Sequence, residues 1–325
     1  MEASRKRPPT GIIDSLGIGY SLVVNHLWLL SLPVALDLFL WLGPSLTAPA
    51  LFRQVLAPFQ VPLSNPEAGI EGAEDLLQAL DELATRFNLF SLLGAPPLGM
   101  PGLMGGRPGM NFVRQEIASP SAGAVIGGLL LLAGLFLSTI YLSLLAHVVS
   151  RRGGEGADAE LGGAPALGLR RIARAWWRLM GFLLLLGVGI VILSIPLGIF
   201  TQLLAIFSPG LSGFFFLVGM AVVMWSLFYL FFTVHAILMD GLPVRWAMMR
   251  SVWVVRRDFL PTLGLIALTL IISMGMEQVW GLARPNSWLE GVAILGNAFI
   301  HTGLIAATFV FYRERVASLE TRPRP

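Results

Sequence analysis

Cysteine is absent from all 325 residues, so disulfides, thiolate metal sites and cysteine nucleophiles are excluded, and thiols reveal nothing of the redox compartment. Charge is scarce: only 13% of residues are Asp, Glu, Lys or Arg, and a single lysine, Lys6, stands against 21 arginines. No GxSxG, HExxH, phosphate-binding glycine loop or EF-hand loop occurs, and GGRPG at 105–109 reads as a turn. No polar segment has the length or the carboxylate and His content of a soluble catalytic domain. The chain therefore reads as non-enzymatic.

Apolar residues are abundant instead. They form 55% of the chain and raise the mean hydropathy to +0.76, which excludes an ordinary globular protein. A net charge of +3 with a pI near 9.8 would suit a nucleic-acid binder. The arginines, however, sit at the ends of apolar runs, where membrane topology predicts them, so no nucleic-acid partner is expected.

The expected fold class is an all-α integral membrane protein with six transmembrane helices. A basic tail, 1–11, precedes an interfacial helix and first span in 12–43, the span covering about Leu27–Leu42 with Pro33 and Asp37 inside. The basic start and Leu46-Thr47-Ala48-Pro49-Ala50 mimic a signal peptide, but the apolar stretch is too long and carries Asp37. Residues 44–121 form a large insertion. Within it, Leu76, Leu77, Leu80, Leu83, Ala84 and Phe87 recur at helical spacing behind Glu71, Glu74 and Asp75, which predicts an amphipathic helix over 70–92. A Pro/Gly/Met-rich loop follows. Its Met100, Met104 and Met110 have no His or Cys beside them and read as packing, not as a soft-metal site.

Five more spans are expected at about Ala122–Val149, Met180–Phe207, Leu211–Leu238, Phe259–Leu282 and Trp288–Phe311. Each is long enough for ~30 Å of hydrocarbon at about 1.5 Å per residue. The units are the second span in 122–150, a linker and basic interfacial helix in 151–178, a hairpin in 179–239, a second basic helix in 240–258, a hairpin in 259–312, and a polar, frayed tail in 313–325. With both termini cytoplasmic, the inner segments hold 17 Lys/Arg and the short outer turns hold one, Arg284.

An internal repeat underlies this order. Tyr141-Leu142 precedes His147 as Tyr229-Leu230 precedes His235, and each pair leads into a basic helix: Arg174-Ala175-Trp176-Trp177 in one case, Arg250-Ser251-Val252-Trp253 in the other. A fainter copy starts at Asp14. The unit is thus an interfacial helix plus a transmembrane hairpin, used three times about an axis along the membrane normal. In 244–257, Val244, Met248, Val252 and Val255 fall on one face, with Arg245, Arg250 and Arg256 off it and Trp246 and Trp253 flanking. Arg170, Arg171, Arg174, Trp176, Trp177, Arg178, Arg245, Trp246, Arg250, Trp253, Arg256 and Arg257 are accordingly candidates for contact with anionic membrane lipids. Packing beneath their own spans is the alternative.

At these residues, Met239-Asp240-Gly241, Ala247-Met248-Met249-Arg250-Ser251-Val252-Trp253, Asp258-Phe259 and Leu263-Gly264-Leu265, the sequence resembles a broad group of bacterial polytopic membrane proteins. The group includes the membrane domain attached to some glycerophosphodiester phosphodiesterases. The resemblance covers the C-terminal half and, more weakly, the N-terminal unit. It implies a multi-pass protein of the bacterial cytoplasmic membrane and carries no activity, because the group's phosphodiesterase chemistry belongs to a separate soluble barrel. The 44–121 insertion departs from the group's pattern.

Polar groups within spans are costly, which makes them functional candidates. Asp37, Glu277 and Asn297 fall at comparable depths, with His301 deeper, and together they would suit a proton or substrate site. Interhelical hydrogen bonding is the favoured alternative, since one carboxylate per helix without intramembrane Lys or Arg is thin for a transporter. His147 and His235 lack a third ligand, so no metal and no cofactor is expected. The expected function is an accessory, scaffolding or lipid-interacting component whose partners are anionic lipids and a membrane protein docked through 44–121. The alternative is a small transporter or permease component. A membrane enzyme acting on lipid has the least support.

Overall fold

The computed structural model describes residues 11–63, 73–94, 100–107, 109–110, 113–151, 168–284 and 287–320. The 1–10 tail, the 152–167 linker and the last five residues therefore lie outside the described residues, as do Glu71 and Pro96-Pro97. Eleven α-helices are described: α1 Ile12–Asn25, α2 Ser31–Leu42, α3 Pro49–Leu63, α4 Ala73–Arg86, α5 Pro120–Arg151, α6 Leu169–Phe207, α7 Pro209–Tyr229, α8 Thr233–Leu238, α9 Val244–Arg257, α10 Phe259–Gly281 and α11 Trp288–Glu320. Five spans, in α5, α6, α7–α8, α10 and α11, are long and apolar enough to cross a membrane, or six if the pair of segments at 12–42 counts as one.

That first span is broken. α1 ends at Asn25, a 3-10 turn covers Leu27–Leu30, and the chain bends by 90° before α2. α2 has 12 residues, about 18 Å at the α-helical rise, and is shorter than a bilayer core. Pro33 fits its first turn, where backbone N–H groups have no helical partner to lose.

The chain forms two compact units. The first comprises Met1–Leu22, Leu142–Thr269 and Leu304–Pro325; the second comprises Val23–Tyr141 and Leu270–Gly303. Within the first, α6 and α7 make a hairpin whose turn is a single residue. Ser208 caps α7 by accepting the Leu211 N–H, and Pro209 takes the first helical position. A Cβ at Gly219 would meet the end of the Leu197 side chain, which would have to shift to admit it. Basic residues 169–178 and the apolar run beyond them form one unbroken helix of 39 residues, where a separate interfacial helix was expected. No proline lies at that join; the one proline of the helix is Pro196.

In the second unit, residues 44–121 are more structured than expected. The amphipathic helix expected over 70–92 is described over Ala73–Arg86 and stops short of 92, giving way to a 3-10 segment at Leu89–Gly94; residues 70–72 lie outside the described residues. It pairs with α3, which the sequence reading did not anticipate, through Phe52 against Phe87 at 4.8 Å and an exposed Arg53–Asp81 bridge of 3.1 Å. A bridge so exposed contributes about 0–1 kcal/mol. Two three-residue strands, β1 Ser45–Thr47 and β2 Arg114–Glu116, pair in parallel and close the insertion on itself. Asn88 ties β1 to the 3-10 segment, its Oδ1 accepting from Leu46 N–H at 3.0 Å and Phe90 N–H at 3.1 Å. Gly134 of α5 lies against the Leu92 and Leu93 carbonyls, where a Cβ would sit 2.7 Å from the latter.

The helices differ sharply in what covers them. In α11, 67% of the apolar window is buried, against 6% in α6 and 6% in α7. α11 contributes core residues to both units: Ala293, Ile294 and Ala298 to the second, and Ala306, Ala307 and Phe309 to the first. Small residues let neighbouring backbones approach closely, the usual device where apolar burial cannot drive helix association. The expected frayed tail at 313–325 is helical through Glu320, and Arg315 within it is buried. It finds an ion-pair partner there, described below.

Candidate functional site

The region around α8 and α9 is held together by polar groups. α7 stops at Tyr229, and three residues later α8 begins. Ser251 of α9 fills this gap: its hydroxyl donates to the Tyr229 carbonyl at 2.7 Å and accepts the Phe232 N–H at 3.0 Å. Two backbone groups freed by the break are thereby satisfied by one side chain. α8 ends in a left-handed turn at Gly241, φ +61°, and the Leu242 N–H returns to the Ala236 carbonyl at 3.3 Å.

Ser251 also explains which face α9 buries. The expected apolar face was Val244, Met248, Val252 and Val255. Of these only Val255 is buried, and the buried stripe is Ala247, Ser251, Val254 and Val255. Small residues win because α9 must approach the α7–α8 break closely enough for a hydrogen bond. The outward face then carries Trp246, Met249 and Trp253, exposed to 50%, 56% and 52%. Arg245, Arg256 and Arg257 beside them are exposed too, and the Arg245 guanidinium lies 5.1 Å from the Trp246 ring centre. Arg250 is half-buried.

On α6, Arg170, Arg171, Arg174 and Trp177 are exposed, and Trp176 is half-buried, edge-on to Trp177 at 5.0 Å. Arg178 has a different job. Its Nη1 donates to the Gly241 carbonyl at 2.5 Å, clipping α6 to the α8–α9 turn. One turn on, a Cβ at Gly181 would lie in ordinary contact, 3.8 Å, with Val244. The basic segment of α6 and the start of α9 therefore meet.

Deeper in this unit, Arg315 of α11 pairs with Asp258, the residue between α9 and α10, at 3.2 Å and stands over the Phe311 ring at 4.6 Å. Tyr312 donates to Asp240 at 2.6 Å, and Arg313 donates to the Val149 carbonyl. His235 is ringed by Phe232, Phe309 and Tyr312. Its Nε2 lies 2.8 Å from Thr308 Oγ1, whose proton is committed to the Ile305 carbonyl at 2.7 Å. Nε2 must then be the protonated nitrogen, donating to the hydroxyl. Sequence reasoning missed Arg315, Thr308 and Tyr312; no periodic signal marks them.

The intramembrane candidates occupy the second unit. Asp37 is fully buried, its carboxylate accepting the Leu103 and Met104 N–H groups at 2.9 Å each. It anchors the loop in which Met100, Leu103 and Met104 are themselves buried. Glu277 is exposed, whereas Asn297 is buried. Among the described residues no hydrogen bond or ion pair joins Asp37, Glu277 and Asn297, so the expected cluster is not assembled by direct contacts. His301 lies between Ser273 and its own helix: Nδ1 donates to the Asn297 carbonyl at 3.1 Å, which leaves Nε2 to accept the Ser273 hydroxyl at 2.8 Å. That bond links α10 to α11.

The residues expected to be equivalent in a repeat have unlike surroundings. Tyr141 is buried and donates to Thr302 at 2.8 Å, while Tyr229 is half-buried beside Trp225. His147 is half-buried on the unbroken α5; His235 is buried on the short α8. No group of three or more His, Asp or Glu side chains among the described residues is placed to hold a metal ion. No protein family, curated protein or solved structure matches the chain.

Proposed function

We propose that the chain is a non-enzymatic, multi-pass component of the bacterial cytoplasmic membrane, with an accessory, scaffolding or lipid-interacting role and both termini cytoplasmic. The observation that carries this reading is the state of Asp37. It is the one buried carboxylate of the expected polar site, and each of its oxygens accepts a backbone amide of the loop at Leu103–Met104. A buried carboxylate that accepts a backbone amide on each oxygen is engaged as a structural anchor, which favours the non-transporting reading. The three-unit repeat, the relation to the membrane domain of glycerophosphodiester phosphodiesterases, and a docking role for 44–121 belong to the same proposal.

The test is purification in nanodiscs drawn directly from the membrane, with mass spectrometry of every protein and lipid retained. A stoichiometric protein partner or one enriched lipid is expected, and a chain recovered alone with bulk lipid would remove the accessory reading. A second reading, a small transporter, draws on the Ser273–His301 bond and the buried Asn297. Substrate-dependent flux in proteoliposomes that disappears in His301→Ala would establish it.

A further inference from the structure

We infer that the outward faces of α9 and of the first turns of α6 form one continuous binding surface for anionic phospholipid headgroups. The inference rests on the lipid-interacting reading above. Its first support is composition. Residues 244–257 hold four arginines and no acidic residue, and 169–178 hold four arginines and none either.

The second support is the division of labour that folding imposes. On α9, the small residues Ala247 and Ser251 turn inward, which leaves Trp246, Met249 and Trp253 in an i, i+3, i+7 line on the opposite side. Exposed Arg245 and Arg256 lie on one flank of that line and Arg257 on the other. Such a face is unstable in water alone and in hydrocarbon alone. It fits the boundary, where indole and thioether side chains enter the acyl region and guanidinium groups meet phosphate.

The third support is the join between helices. Arg178 bonds the Gly241 carbonyl and Gly181 admits Val244, so α6 and the start of α9 are fixed together. Arg174 lies one turn before Arg178 on the same face of α6, beside exposed Trp177. The Arg174/Trp177 patch and the Arg245/Trp246 patch are thus neighbours on one unit. Neither helix alone offers that breadth.

The occupant follows from chain continuity. The basic turns of α6 run without a break into its apolar length, and only Asp258 separates α9 from α10. The patch is therefore tied to the ends of membrane-length apolar helices, where the chemistry within reach is the lipid headgroup. The anionic charge sought is phosphate that no choline or ethanolamine neutralises, as in phosphatidylglycerol.

The experiment uses the full chain reconstituted in mixed phosphatidylcholine/phosphatidylglycerol bilayers, extracted in a neutral detergent, with retained lipid counted by native mass spectrometry. The wild type should retain phosphatidylglycerol at least about threefold above its bilayer fraction, given about a fivefold bias for each arginine near an anionic surface. The preference should weaken in high salt. The combined variant Arg174→Gln, Arg245→Gln, Arg256→Gln and Arg257→Gln should return to the bilayer ratio, whereas lysine at the same four positions should keep the preference. Glutamine at Arg53, Arg86 and Arg114, in the insertion, should change nothing. If the fourfold glutamine variant fails to accumulate, Arg245→Gln and Arg256→Gln singly must each lower the enrichment. Enrichment absent in the wild type, or unchanged in the glutamine variants, would overturn the inference. So would an acidic polypeptide that co-purifies with the wild type and is lost from the variant, in the absence of lipid preference. Substrate flux would sink the accessory reading while leaving the lipid preference in place, so the two failures are distinguishable.

Discussion

At the scale of single residues, the polar groups of this chain are largely spent on holding its own elements. Asp258 and Arg315 face each other with side-chain exposures of 19% and 8%. Replacing one charge removes a charge-assisted bond in a poorly hydrated place, a loss of about 2 kcal/mol. Asp258→Asn should therefore lower the melting temperature in detergent clearly, and a melt indistinguishable from the wild type would show that the pair contributes nothing. Asp37→Asn removes a carboxylate that accepts two amides and offers one acceptor oxygen in its place. The expected result is faster amide exchange across residues 100–107, corresponding to about 1–3 kcal/mol, with the α6–α7 hairpin unaffected. Hydrogen exchange read by mass spectrometry separates the two regions. Neither pairing was legible beforehand: Asp37 and the loop that donates to it are 66 residues apart, and nothing in local composition points from one to the other.

At the scale of elements, breaks and close approaches decide the shape of each piece. Ser251→Ala would leave the Phe232 N–H and the Tyr229 carbonyl without their partner in a buried break, costing about 1–3 kcal/mol. Ser251→Thr keeps the hydroxyl and should lose less, so a melting series of the two against the wild type separates the hydrogen bond from packing. Gly219→Leu places a side chain where Leu197 already lies, and the α6–α7 hairpin must splay to admit it. Cross-linking between cysteines introduced at Ile199 and Phe215, near the Phe200–Phe215 ring contact, should fall in that variant; undiminished cross-linking would mean the helices close without glycine. The α9 face illustrates the reach of periodicity. A helix was legible over 244–257, but ranking faces by hydrophobicity selected Val244, Met248 and Val252. The buried choice was Ala247 and Ser251, because a close approach to another backbone selects for small size.

At the scale of the whole molecule, topology can be tested directly because the chain has no native cysteine. With both termini cytoplasmic, a cysteine at Gln78, exposed on α4, should react with a membrane-impermeant maleimide in intact cells. One at Arg256, exposed on α9, should react only after permeabilisation. Reversed labelling would invert the topology read from arginine placement. The contrast between α11, largely buried, and α6 and α7, barely buried, was invisible in hydropathy, since all three are apolar enough to cross a membrane. Hydropathy measures the solvent a helix tolerates and is blind to whether lipid or protein supplies it.

What the amino-acid sequence determined by itself is therefore the solvent and the inventory. Runs of this length and apolarity have one favourable environment, and the property is local, so counting along the chain suffices to find the long apolar segments and the basic segments between them, though not α3 or the break between α7 and α8. The tertiary structure decided the pairings: Asp37 with its loop, Arg315 with Asp258, Ser251 with the α7–α8 break, and Arg178 with Gly241. Each joins residues distant in sequence, and a single hydrogen bond of modest energy leaves no period or composition by which to find it. The same cause separates the two kinds of candidate site. The basic residues were legible because charge at the end of an apolar run is a local feature, whereas the fate of each polar group within the apolar runs depended on which distant backbone happened to meet it.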